Sequence, residues 1–358
     1  MVVMKFGGTS VETADRIRAA ANRAIDSKLK GNNVVVVVSA RGDTTDELLR
    51  LASEITDSPS AREVDQLLST GEQISIALLA MAINAAGYGA ISFTGGQVGL
   101  ITDSAHTRAR IRNINAERML HEFEVGNIVI VAGFQGVNER MDITTLGRGG
   151  SDTTAAALAA ALDADVCEIY TDVDGVYTAD PRLVPEAIKI DKICYDEMLE
   201  LASLGAGVVH SRAVEYGKKY GVPIHIRSSF TDAPGTLIEE EVEGMEDITV
   251  RGAALTRDLA KITLRAVPDR PGIAAHIFQA IAARNIVVDD IIQNVGEGGH
   301  AAISFTISSD DLKRTVIAMR EISDRVGAGE VSADDAVSKV SIVGVGMRSH
   351  TGVAQKMF

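Results

Sequence analysis

Two glycine-rich segments carry the cations this sequence offers to an anionic ligand. Lys5-Phe-Gly-Gly-Thr-Ser10 follows the apolar run Val2–Met4 and precedes a helical stretch containing Arg16–Ala24. The paired glycines Gly7 and Gly8 let backbone approach a phosphate, and a following helix presents free N–H groups at its positive end. Lys5 adds the point charge that phosphoryl transfer needs. The G-x-x-x-x-G-K-[ST] spacing of a Walker A loop is absent, so an ordinary strand–helix turn stays open for Gly-Gly alone. In the second segment, Thr144-Thr-Leu-Gly-Arg-Gly-Gly-Ser-Asp-Thr-Thr154, three glycines flank Arg148. Ser151 or Asp152 is the expected cap of an alanine-rich helix over Thr153–Leu162. An arginine on such backbone, aimed at a helix start, makes a concave site for a carboxylate or a transferring phosphoryl group.

Three further segments border the same chemistry. Tyr170-Thr-Asp-Val-Asp-Gly-Val-Tyr-Thr-Ala-Asp-Pro-Arg182 follows the strand-like run Cys167–Tyr170. Asp172, Asp174 and Gly175 hint at a calcium loop, but the third ligand position falls on Val176 and the glycine comes too early. In open α/β sheets ligands sit beyond the carboxyl ends of strands, so this segment reads as a nucleotide-side loop, with an ordinary long loop as the alternative. Ser39-Ala-Arg-Gly-Asp-Thr-Thr45 follows the run Val34–Val38, and its hydroxyls would face the same crevice. Glu72, in Ser69-Thr-Gly-Glu-Gln73, is expected at a helix start, either capping the helix or gripping a substrate ammonium; on its own residues the cap is favoured.

The elements that must hold these residues alternate between strand and helix. Val34–Val38 is an uninterrupted β-branched run, as a parallel strand covered on both faces requires, and Ile128–Ala132 is another. Helical stretches such as Glu47–Ile55 lie between them, which predicts an α/β domain around a largely parallel sheet. Acidic Glu239–Asp247 reads as an exposed connection, placing the first domain at 1–245 and a connection with a first strand at 246–260. Beyond it the chain repeats itself. Ile262–Phe278 matches Ile342–Phe358, with Gly272 over Gly352, Ala274 over Ala354 and Phe278 over Phe358. The first copy continues through Ile286–Val288, Ala301–Ile307 and a helix around Leu312–Val326, a βαββα pattern filling 261–340. The second copy, 341–358, contains only a strand and the start of a helix.

Composition narrows the function classes. The 358 residues are 46% apolar, enough for two or three domains with real cores. No uninterrupted apolar run reaches the roughly 18 residues of a bilayer span, and the N-terminus lacks the apolar core of a signal peptide. Neither a membrane nor nucleic acid is an expected partner, since a formal net charge of −14 leaves little basic surface to replace counterions. Cys167 and Cys194 stand apart without metal-ligand spacing, so no metal site is expected and a reducing cytoplasm is the expected setting.

Together, KFGGTS, SARGDTTDELL, STGEQIS, FTGGQVG, VAGFQGV, TTLGRGGSDTTA and YTDVDGVYTADPR resemble, in that order and nearly end to end, the aspartate kinases of the amino-acid kinase superfamily. The resemblance implies an amino-acid-kinase-type α/β sandwich followed by a smaller α+β, ferredoxin-like ACT domain. It implies transfer of the γ-phosphoryl group of ATP, with Mg2+ carried by the ATP, to the side-chain carboxylate of L-aspartate, giving 4-phospho-L-aspartate. That step opens the route to lysine, threonine and methionine. By the same resemblance Lys5, Phe6, Gly7 and Gly8 contact the phosphates, and Thr171, Asp172, Tyr177 and Arg182 hold the nucleotide. Ser39, Thr45, Glu72, Arg148, Gly149, Gly150 and Ser151 bind aspartate, Glu72 facing its ammonium and Arg148 its α-carboxylate, while Asp152 organises Lys5 and Arg148. Asp269, Pro271, Gly272, Ala274, Gln293 and Asn294 match an effector site for lysine, threonine or both, and ACT pairing implies a homo-oligomer. Two alternatives stand beside this reading: a carbamate, glutamate or acetylglutamate kinase of the same superfamily, and a non-catalytic amino-acid sensor.

Overall fold

The structure, a computed structural model, describes residues 1–204, 207–240, 250–284, 286–296, 299–344 and 355. It divides into two compact units, Met1–Ala253 with Ile342–Phe358, and Ala254–Ser341. In chain order the first unit contains β1 (Val2–Phe6), α1 (Ala14–Leu29), β2 (Val34–Val38), α2 (Thr44–Ile55), α3 (Ala61–Ala85), β3 (Ala90–Phe93), β4 (Leu100–Thr102), β5 (Ile111–Ile114), α4 (Glu117–Glu124) and β6 (Ile128–Ala132). It continues with β7 (Gln135–Val137), β8 (Ile143–Thr145), α5 (Gly150–Ala161), β9 (Val166–Thr171), β10 (Val176–Tyr177), β11 (Lys189–Ile190), β12 (Lys192–Cys194), α6 (Tyr195–Ser203), α7 (Ser211–Tyr220), β13 (Ile224–Ser228) and β14 (Thr236–Glu239).

Eight strands form one sheet in the order β12-β14-β13-β9-β1-β2-β6-β3, and a smaller sheet runs β5-β4-β7-β8. The centre of the large sheet is parallel, from β13 through β9, β1, β2 and β6 to β3. Val34–Val38 explains why: all five valines have zero exposure, and a strand with both faces covered suits the interior of a parallel sheet. The strand period of two divides the apolar side chains between two cores. Val3, Val35, Val37, Val129, Val131 and Ile169 pack with Ala155, Ala156 and Leu158 of α5, whereas Val2, Met4, Val34, Val36 and Val38 pack with Ile17 of α1 and Ile76 and Leu79 of α3. Fully burying one such side chain contributes about 1.5–3 kcal/mol, so these layers hold the sheet that carries the site.

Helix α3, 25 residues, is by length and composition apolar enough to cross a membrane, although no uninterrupted apolar run is present. Half of its most apolar window is buried inside the protein, and its buried face includes Asp65, Ser69 and Glu72.

The chain then forms β15 (Gly252–Pro268), α8 (Ile273–Ala282), β16 (Asp289–Val295), β17 (His300–Ser308), α9 (Leu312–Val326) and β18 (Val331–Val343). Their sheet order is β16-β17-β15-β18, the ferredoxin-like arrangement of a βαββαβ unit. Ile262, Leu264, Ile277, Ile303, Phe305 and Met319 form its core. The helix expected around Leu312–Val326 is α9. The strand expected at Ile286–Val288 lies instead at Asp289–Val295: Ile286 is a buried core residue ahead of the strand, and β16 is an edge strand exposed at all seven positions. Of the expected connection and first strand at 246–260, residues 246–249 lie outside the described residues, and Gly252 onward is already β15. Of the expected second copy, Ser341–Val343 ends β18; Val343 is buried in the first unit's core and its carbonyl accepts the Arg251 N–H at 2.7 Å. Residues 345–354 and 356–358 lie outside the described residues.

Candidate functional site

Lys5 is the fourth residue of β1, in register with Val37 of β2 and Ile169 of β9. It therefore leaves the middle of the sheet near its carboxyl edge, held by a strand rather than by the loop that follows. Its ammonium lies 2.6 Å from a carboxylate oxygen of Asp152, with the two side chains 12% and 11% exposed. At such depth a lone charge costs several kcal/mol, so each ion keeps the other in place.

Asp152 comes from α5, which begins differently from the sequence expectation. The N-cap is Gly149, φ 68°, with no side-chain cap, and Ser151 and Asp152 belong to the first turn. A Cβ on Gly149 would stand 2.2 Å from the His210 ring, so glycine is required both by the backbone angle and by the approach of α7. Asp152 turns to Lys5 instead and accepts the His210 N–H at 3.3 Å, an anion near the positive end of a helix. Burial holds the His210 imidazole below its usual range; its Nδ1 accepts the Arg212 N–H at the start of α7. Behind this turn Ala155–Ala159 are fully or almost fully buried, small enough for α5 to lie directly on the sheet.

Arg148, one residue before Gly149, is exposed and lines the same cavity, and among the described residues its guanidinium has no ion-pair partner. Glu72 is the opposite case. It lies mid-way along α3 rather than at a helix start, which removes the cap reading, and it is 3% exposed. One oxygen accepts the Ala40 N–H at 3.1 Å; the other, Oε2, has no hydrogen-bond partner among the described residues. Burial raises its pKa to about 7, against the opposing pull of backbone donors and Gln135. A buried carboxylate with a free oxygen facing a cavity is suited to a cation supplied by a ligand.

Ser39 sits directly after β2, its N–H bonded to Phe6 O, and Thr45 lies in the first turn of α2. Gly71, one residue before Glu72, allows this approach: a Cβ there would stand 2.8 Å from Ala40 Cβ. The resulting cavity of about 280 Å³ is lined by Lys5, Gly8, Ser39, Thr45, Glu72 and Arg148–Asp152, together with Ala40, Gly42, Phe134 and Gly147. The last four lie inside the glycine-rich motifs but carry no chemical signal of their own there. His210, which packs on the start of α5, lies in none of those motifs and reaches the site only through packing.

The residues that the resemblance assigns to the nucleotide lie elsewhere. Phe6 stacks on Tyr170 at the carboxyl end of β1 and β9, and the Gly7 N–H bonds Tyr170 O, so the glycine loop and Thr171 are neighbours. None of Thr171, Asp172, Tyr177 and Arg182 lines the cavity. Each is engaged locally: the Thr171 hydroxyl bonds Asp172 at 3.1 Å, Tyr177 donates to Asp174 at 2.9 Å, and exposed Arg182 pairs with Asp180 through two bonds of 3.0 Å. Cys167 and Cys194 are free and buried, and burial pushes both thiols up, away from a nucleophile's range. Among the described residues no cluster of His, Cys, Asp and Glu could hold a metal ion.

In the second unit, Gly272 (φ 92°) is the N-cap of α8, Ala274 lies in its first turn, and the Asp269 N–H bonds Gly299 O. Gln293 and Asn294 pair with Ile303 and Ala302 of β17, while Pro268 pairs with His300. Both groups thus lie toward one end of this sheet, around the β16–β17 turn.

Comparison with known proteins matches these two units. Residues 1–228 match the amino acid kinase family and residues 262–327 the ACT domain. The whole chain is 52% identical over 359 aligned residues to the aspartate kinase Ask_LysC of Stutzerimonas stutzeri, covering 87% of that protein. The chain belongs to the aspartate kinases. These are transferases that phosphorylate aspartate at a carboxyl group. Among solved structures, aspartokinase III of E. coli in complex with aspartate and ADP (R-state) is 28% identical with a TM-score of 0.85, over all of this chain and 90% of that one. The same enzyme in complex with lysine and aspartate (T-state) is also 28% identical, with a TM-score of 0.76 over 96% of this chain and 87% of that one.

Proposed function

We propose that the Lys5–Glu72–Arg148 cavity binds L-aspartate and that the γ-phosphoryl group of ATP is transferred there to its side-chain carboxylate, giving 4-phospho-L-aspartate. The observation that carries this reading is the convergence of a largely buried, carboxylate-held lysine with, among the described residues, a guanidinium without an ion-pair partner and a buried carboxylate with one unbonded oxygen. Aspartate offers two anions and one cation, the complement of that set. Arg148 clamps the α-carboxylate by its two-pronged donor face, Glu72 takes the ammonium, and Ser39, Thr45, Gly149, Gly150 and Ser151 border the substrate. Lys5, kept in line by Asp152, neutralises the phosphoryl group as it moves. The attacking carboxylate is already ionised, so alignment and charge neutralisation suffice without a protein nucleophile.

ATP lies across the glycine loop (Phe6, Gly7, Gly8) and the segment bearing Thr171, Asp172, Tyr177 and Arg182. Mg2+ enters as part of the nucleotide substrate, with the phosphates as its main ligands. The ADP and aspartate bound by the E. coli relative support this assignment. The second unit acts as an amino-acid sensor through Asp269, Pro271, Gly272, Ala274, Gln293 and Asn294, with lysine, threonine or both as effector; the lysine bound by the T-state relative supports it. A homo-oligomer through the ACT units, a cytoplasmic setting and a place at the head of lysine, threonine and methionine synthesis complete the reading. The test is ADP release with aspartate, glutamate or carbamate as acceptor, repeated with lysine and threonine added. Aspartate alone should support turnover, and the added amino acids should lower it; turnover with glutamate or carbamate in its place would overturn the substrate assignment.

A further inference from the structure

The segment that delivers Arg148 is fixed from two sides by residues that do not line the cavity. Asp65, on α3, has zero exposure and no lysine or arginine partner among the described residues. Its carboxylate accepts the Thr107 N–H at 3.0 Å on each oxygen and the Thr145 hydroxyl at 2.5 Å, and it lies 2.8 Å from His106 Nδ1. Thr145 is the last residue of β8, three positions before Arg148. Between them Gly147 takes φ 79°, and a Cβ there would stand 3.0 Å from Thr107 O. The loop held by Asp65 therefore supports the backbone of the Arg148 segment directly. On the other flank Arg212, from α7, donates to Leu146 O at 2.8 Å and to Ala109 O at 3.2 Å, and the Ala109 N–H bonds Thr145 O at 2.8 Å.

A fully buried carboxylate bonded mostly to neutral donors is expensive to desolvate, and replacing it with an apolar residue would be simpler if packing were its only task. Its bonds all converge on the two strands of chain that frame Gly147. Arg148 itself is exposed and has no ion-pair partner among the described residues to orient it, so the backbone beneath sets where its planar fork points. We propose that Asp65, acting through Thr145, is a positioning residue for substrate-carboxylate recognition: it fixes the register of Leu146–Arg148 and so places the Arg148 guanidinium. This rests on the assignment of Arg148 to aspartate.

The experiment compares Thr145→Val, which keeps the volume and removes the hydroxyl, with Thr145→Ser, which keeps the hydroxyl. For each, the KM for aspartate, the KM for ATP, kcat and Tm are measured. A shift well under 1 Å in a positioned group suffices for a rise of about tenfold. Thr145→Val should raise the aspartate KM by that order and leave the ATP KM unchanged, and Thr145→Ser should restore it. If Thr145→Val lowers Tm but leaves the aspartate KM at the wild-type value, Asp65 is structural only and the proposal fails. Thr145→Ala, which removes the same hydroxyl without the second branch methyl, serves if Thr145→Val does not fold: the aspartate KM should again rise alone, and an unchanged value overturns the proposal. Arg148→Lys separates the layers. If it raises the aspartate KM while the Thr145 variants that lack the hydroxyl do not, only the positioning role falls; if it raises the ATP KM instead, the Arg148 assignment falls.

Discussion

The two halves of the candidate site are built on different terms. At the proposed acceptor end the charged groups line one cavity: Lys5 is held by Asp152, and among the described residues Glu72 keeps one oxygen unbonded and Arg148 has no ion-pair partner. At the proposed nucleotide end the charged and polar groups are satisfied by near neighbours in sequence, exposed Arg182 by Asp180 and half-buried Tyr177 of β10 by Asp174. Lys5, Asp152 and Glu72 are thus pre-organised, their desolvation cost met on folding, which is what makes fixed charges effective toward a developing transition state. Under the proposed assignment the nucleotide end exchanges internal bonds for bonds to its ligand, so its residues should tune binding rather than turnover.

Removing Lys5 tests this contrast most severely. Lys5→Ala should cut kcat by a factor corresponding to roughly 3–4 kcal/mol, as loss of one well-placed transition-state donor does, while circular dichroism stays native. A folded Lys5→Ala protein with near-normal turnover would break the comparison at its centre.

Arg148→Lys comes next. A point charge cannot reproduce the two-pronged contact, so the aspartate KM should rise by an amount equivalent to about 1.5–3 kcal/mol, the range for a hydrogen bond to a charged group. The ATP KM should stay within error.

Glu72 makes the acceptor cavity sensitive to pH. Its folded pKa, about 7, lies above the ordinary carboxyl value of 4.5, so between these values the native state binds more protons than the unfolded one. Stability then falls as pH rises through that window, by an amount on the order of 3 kcal/mol, and levels off above it. Glu72→Gln should flatten that slope, measured by denaturant unfolding between pH 4.5 and 8. If the ionised carboxylate grips the substrate ammonium, the wild-type aspartate KM should also rise as pH falls below about 7, and the Glu72→Gln KM should be high at every pH. A pH-independent wild-type KM would remove Glu72 from the substrate.

The smallest effect is expected at the nucleotide end. Arg182→Ala should raise the ATP KM modestly, leave the aspartate KM and kcat nearly unchanged and leave Tm within error, because an exposed ion pair adds little to stability. A large fall in kcat would show that this loop takes as direct a part in the chemistry as the acceptor cavity does.

Much of the architecture was legible in short-range pattern. Val34–Val38 could only be a strand covered on both faces, α9 follows its apolar periodicity, and the glycine-rich segments lie beside the cavity. The C-terminal region was less transparent: Ile286–Val288 has strand composition, yet Ile286 serves as a core plug and the strand is the mixed polar and apolar, fully exposed edge that follows. Local propensity cannot distinguish those uses, because both bury or expose residues only through partners distant in sequence.

The inventory is readable in the residues alone: a parallel α/β sheet, glycine loops at strand ends, and a lysine, an arginine and two carboxylates of the right kinds. Tertiary structure alone decided how they meet. The central position of β1 between β2 and β9, and the laying of α5 across it, bring Asp152 to Lys5 over a long stretch of chain. The seven-residue spacing of Asp65 and Glu72 shows only that they share a face of α3. That this face is buried, with Glu72 turned to the cavity and Asp65 to the loop beneath Arg148, follows from packing against β8 and the Ala40 turn. A helix records the spacing of its side chains, but whether a carboxylate on it is a cap, a substrate grip or an anchor depends on which backbone donors the rest of the fold brings within hydrogen-bond reach.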